Sequence, residues 1–124
     1  MQSQKEIATS FLRMAGSGDV KAAFDQFVAP DFVHHNPYFK GDRQSLMEAM
    51  EASHKMSPNK SIDVKQIFED RNTVITHSLV TREDPSAPPI AVVHIFRFAN
   101  NRIAELWDVG QEITRDSPNQ NGPF

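Results

Sequence analysis

An α+β domain is the fold class expected of this 124-residue chain, on three observations. Apolar residues recur at helical spacing up to Ser57-Pro58, the period becomes two-fold from Lys60 onward, and turn-forming residues fall at the joints between segments. Helices followed by strands, without alternation, call for helices gathered on one face of a curved sheet.

The elements follow in order. Ser3 and Glu6 form a capping box, and Ile7, Phe11 and Met14/Ala15 recur on one face until Gly16 ends a first helix. Asp19 is placed to cap a second, with Val20, Phe24 and Phe27/Val28 on its apolar face and Pro30 as its stop, so the two form a short helical hairpin. The segment DFVHHNP reads as a short extended piece ended by Pro37. Asp42 is placed to cap a third helix, whose Leu46, Ala49/Met50 and Ser53 share a face until Ser57-Pro58. Four alternating strands follow: Ile62 to Phe68, Val74 to Thr81, Ala91 to Phe98 and Ile103 to Val109. Glu69 to Asn72 and Asn100-Asn101 are hairpin turns and residues 84–89 a longer proline-rich connection, so these strands can all be antiparallel. Residues 1–124 make a single domain with a polar tail over about 114–124, loose or laid over a partner subunit.

Composition narrows the function. Hydrophobic residues at 39% against 23% charged are the balance of a globular chain with one core. The net charge of -3, with Lys and Arg scattered, leaves no footprint for a nucleic-acid partner. No apolar run approaches the ~20 residues of a membrane span, and the N-terminus lacks the apolar stretch of a secretory signal; a cytoplasmic protein without membrane contact is expected. With no cysteine, chemistry falls to His, carboxylates, hydroxyls and backbone.

Two titratable residues stand inside apolar strands. His94 shares its strand face with Val92, Phe96 and Phe98; His77 lies between Ile75 and Leu79 on a neighbouring strand, so both histidines are expected to look inward. Each is either a core histidine held by one hydrogen bond or part of a site. His34 and His35 must point to opposite sides, so at most one faces the interior, and His54 reads as a cation near a helix C-terminus. Asp108, next to Trp107 among aliphatics, is either an edge carboxylate bonded to Arg97 or a desolvated base. Register decides whether Asp108 can meet His94. A plain two-residue turn at Asn100-Asn101 sets His94 opposite Trp107 and Asp108 opposite Val93, on the other face; only a β-bulge or a longer loop brings Asp108 and His94 together. No ligand spacing of the H-x-H kind supports a metal, and no glycine-rich phosphate loop or nucleophile elbow is present.

Three helices, then an antiparallel sheet, with His35-Asn36-Pro37 before the third helix, the strand His94 to Phe98 and the ending Ile103 to Gln111, resemble the SnoaL-like polyketide cyclases of the nuclear transport factor 2-like superfamily. The resemblance spans nearly the whole chain. It implies a cone-shaped nuclear transport factor 2-like fold, three N-terminal helices packed on a strongly curved antiparallel sheet, around an apolar pocket, often in a homodimer packed through the sheet. It further implies a cofactor-free, metal-free intramolecular aldol reaction or related isomerisation, with Asp108 as general base and His94 beside it. His35, Asn36, His77, Phe96, Trp107 and Gln111 are the expected substrate-binding residues, and an apolar small molecule the expected ligand. The alternatives on the same scaffold are a non-catalytic ligand-binding module and a hydrolase or dehydratase.

Overall fold

The computed structural model describes residues 2–124, in the order α1 (Gln4–Gly16), α2 (Val20–Phe27), β1 (Val28–His34), α3 (Arg43–Met56), β2 (Ser61–Asp70), β3 (Thr73–Thr81), β4 (Ile90–Ala99) and β5 (Arg102–Glu112). The Ser3 side chain accepts from the Glu6 amide and caps α1, and Asp42 accepts from the Ser45 amide and caps α3. Asp19 precedes α2 without a side-chain cap bond; its carbonyl accepts from Ala23, and its own amide donates back to Met14. The turn between α1 and α2 needs Gly18, at φ 98°, because a side chain there would run into the His54 ring packed against it.

One five-stranded sheet, ordered β1-β5-β4-β3-β2, carries the helices on its inner face. The pairs β2–β3, β3–β4 and β4–β5 are antiparallel, as the alternation implied. The extended piece after α2 adds a fifth strand, β1, which runs parallel to β5. Its edge position tolerates Pro30, which has no amide to donate. The core is Phe-rich: Phe11 meets Phe24 edge-on at 5.5 Å and Phe96 at 6.2 Å, and Phe24 meets Phe32 at 6.2 Å.

The hairpin β4–β5 sets the faces of the site. Asn100 and Asn101 both have positive φ (53° and 61°), the backbone of a tight primed turn, and Phe98 pairs with Ile103. The register then shifts, because Ala104 is an extra residue on β5, and Arg97 pairs with Glu105, Phe96 with Leu106 and His94 with Asp108. Without this bulge Glu105 would face Phe96 in the core. With it, Glu105 turns outward to Arg97 at 2.8 Å and Leu106 is buried in its place. Keeping a carboxylate out of the Phe cluster is the physical reason for the bulge.

Candidate functional site

Between α1, α3 and the inner sheet face lies an open cavity of about 290 Å³. Most of its wall is apolar, from Phe11, Leu46, Met50, Ile62, Val92 and Leu106 among others; Asn36, Ser53, Lys60, His94 and Asp108 are its polar members.

Asp108 and His94 are opposite one another on adjacent strands and line this cavity together. The bulge at Ala104 thus meets the condition on which their sharing one face depended. Asn36 holds the carboxyl: its Nδ2 donates to Asp108 Oδ2 at 3.0 Å. The amide's orientation is set by its own turn, since Asn36 Oδ1 accepts from the Tyr38 amide at 3.0 Å and leaves Nδ2 free to donate. The Asn36 amide donates to His34 Nδ1 at 3.1 Å, which requires the His34 proton to be on Nε2. His34 is buried, and desolvation lowers its pKa, with Asp108 and Asp42 pulling the other way. Burial pushes His94 down to about 4 against the opposing pull of Asp108, so its imidazole is neutral over the physiological range.

The inner face also carries buried polar atoms without a protein partner among the described residues: His94 Nδ1, Thr76 Oγ1, Ser78 Oγ and His34 Nε2. Thr76 is directly opposite His94, so Thr76, His94 and Asp108 form a row across β3, β4 and β5.

The other expected site residues lie elsewhere. His77 is on the outer face, opposite Val93 and 3.4 Å from Gln66, with its ring 4.7 Å from Phe124. The inward residues of β3 are Val74, Thr76 and Ser78, all fully buried, so the histidine takes the opposite parity. His35 also turns outward, where its Nε2 meets Glu105 at 2.6 Å and its ring stacks on Trp107 at 4.7 Å; the inward member of the pair is His34. Trp107 belongs to that outer group, and Gln111, exposed, follows it in alternation on β5. Phe96 is a core residue beneath the site, stacked under His94 at 5.9 Å and outside the cavity lining. His34 rather than His35 supports Asn36, and among the cavity-lining residues Phe39 and Lys60 were missed. Phe32 and His34 sharing one parity was the available signal for His34, whereas Lys60 enters the cavity through a turn that no periodicity marks.

Among the described residues no cluster of three His, Cys, Asp or Glu side chains could hold a metal ion, and no helix is long and apolar enough to cross a membrane.

The curved, unclosed sheet with three helices on its inner face is a nuclear transport factor 2-like fold. Residues 8–106 match the family model of the SnoaL-like domain, and the chain belongs to that family. Solved structures agree on the fold. A candidate polyketide cyclase from Acidithiobacillus ferrooxidans is 22% identical, with TM-score 0.73 and 90% of each chain covered. IdmH, a candidate polyketide cyclase from Streptomyces antibioticus, is 15% identical, with TM-score 0.72 over 89% of this chain and 93% of that one. An NTF2-like protein of unknown function from Cytophaga hutchinsonii is also 15% identical, with TM-score 0.72 over 90% of this chain and 92% of that one. No curated protein matches the chain.

Proposed function

We propose that the protein is a cofactor-free enzyme that removes a proton next to a carbonyl of an apolar small molecule, an aldol-cyclase or isomerase type of reaction. The observation that carries this reading is the pairing of Asp108 with a neutral His94 on one face of an apolar cavity. Asp108 takes the proton. Asn36 fixes the carboxyl through Oδ2, and among the described residues Oδ1 receives no protein hydrogen bond and is free for substrate. His94, neutral, donates a hydrogen bond to the enolate oxygen as charge develops there; a neutral donor is a closer match in acidity to an enolate than an imidazolium. The apolar wall strengthens both interactions by excluding water.

The reading is tested by deuterium exchange at the α-carbon of 2-tetralone in D2O, followed by NMR. The wild-type protein is expected to accelerate exchange, and Asp108→Asn to abolish the acceleration while ligand binding persists. Binding without acceleration in the wild-type protein would instead make this a ligand-binding module.

The outer sheet face supports a homodimer as the working assembly. Phe68 and Ile75, opposite one another on β2 and β3, are exposed there, with Val109 further along the face, apolar area that a second copy would cover. Light scattering on the purified chain decides this: Val109→Lys is expected to shift dimer to monomer.

A further inference from the structure

Lys60 lines the cavity just before β2, separated from Asp108 by the breadth of the sheet. Its Nζ donates to Ser53 Oγ at 2.7 Å, and among the described residues no carboxylate lies within ion-pair distance. The neighbouring charge is another cation, Arg82, and burial together with Arg82 lowers the Lys60 pKa. The closest acidic residue in sequence, Asp63, is paired with Lys65 at 2.8 Å, and Glu83 accepts from Asn59. A half-buried ammonium without a counter-ion costs stability, and folded proteins ordinarily pair such a charge. The cavity that Lys60 lines can supply the partner.

We propose that Lys60 is an anion-binding pole of the cavity and that the substrate is a carboxylate-bearing apolar carbonyl compound, its carboxylate on Lys60 and its enolisable carbon at Asp108. The assignment of the two ends rests on the proton-abstraction reading above, and the charges orient the molecule: Asp108 repels a carboxylate that Lys60 attracts. Ser53 steadies the ammonium by accepting one of its three protons, which leaves two for the ligand. The apolar wall between the poles takes the body of the substrate.

The test compares octanoate with octan-1-ol as probes by calorimetry at pH 7, which needs no turnover. Wild-type protein is expected to bind octanoate at least about tenfold more tightly than octan-1-ol, as a charge-assisted contact in a partly dry site provides. Lys60→Met is expected to lose that preference with octan-1-ol affinity unchanged, and Lys60→Arg to keep most of it. Lys60→Gln serves if the methionine variant does not fold. Lys21→Met, which removes a surface lysine paired with Asp25, is expected to leave the preference intact. Equal binding of both probes, no binding of either, or a preference that survives Lys60→Met would overturn the proposal. Asp108→Asn separates the two readings: it is expected to retain the octanoate preference while losing deuterium exchange. A preference without exchange in the wild-type protein would remove the enzymatic reading and leave the anion site standing.

Discussion

The two faces of the β4–β5 hairpin carry comparable residues and treat them in opposite ways. On the outer face Glu105 is bonded by His35 at 2.6 Å and Arg97 at 2.8 Å, and its pKa is lowered by those two hydrogen bonds. Trp107 stacks on the same His35. On the inner face Asp108 has, among the described residues, one protein partner, Asn36, and faces with His94 an open apolar cavity. A satisfied cluster stabilises the fold and has nothing left to offer a ligand. A carboxylate and a neutral imidazole side by side in the wall of an apolar cavity are the physical mark of a site.

Putting a carboxylate on the wrong face would break this division most completely. Leu106→Asp sets a charge among the buried Phe side chains, and the expected result is loss of the folded state, a cost above about 4 kcal/mol, read by circular dichroism. Next in size is acid sensitivity. The folded-state pKa of His94 is depressed to about 4 from 6.5, so the unfolded chain binds the extra proton first; stability is fully present above pH 6.5 and lost as pH falls toward 4. The loss is on the order of 2–3 kcal/mol and is expected to shrink in His94→Gln, as urea unfolding at a series of pH values would record. His34, also depressed, contributes in the same direction. Thr76→Val, which replaces an unpartnered buried hydroxyl with a methyl group, is expected to stabilise by about 1 kcal/mol in thermal melts. Glu105→Gln, on the satisfied outer face, is expected to cost less than about 1 kcal/mol, because exposed ion pairs are worth little.

Much of this was readable from residue order. The capping residues Ser3 and Asp42, the stop at Ser57-Pro58 and the turn at Asn100-Asn101 act through local chemistry that a single sequence displays, and the elements fall where they indicate. The strand β1 was legible only as an extended piece, since its parallel pairing with β5 depends on where α2 delivers the chain. The faces of the histidines were harder. His77 has aliphatic neighbours on both sides of the sheet, and only the burial of Thr76 and Ser78 beneath the helices reveals which parity is inward. The bulge could be stated as a condition but not located, although Glu105, which register would otherwise drive against Phe96, marks where it must fall.

On the proposed function the inner carboxylate reacts and the outer one does not. Deuterium exchange of 2-tetralone measured side by side in Asp108→Asn and Glu105→Gln tests it most directly. The predicted result is a fall of about 10²-fold or more in the first, the usual contribution of a positioned base, and a near wild-type rate in the second. Equal rates in the two variants, or a larger fall in Glu105→Gln, would contradict it.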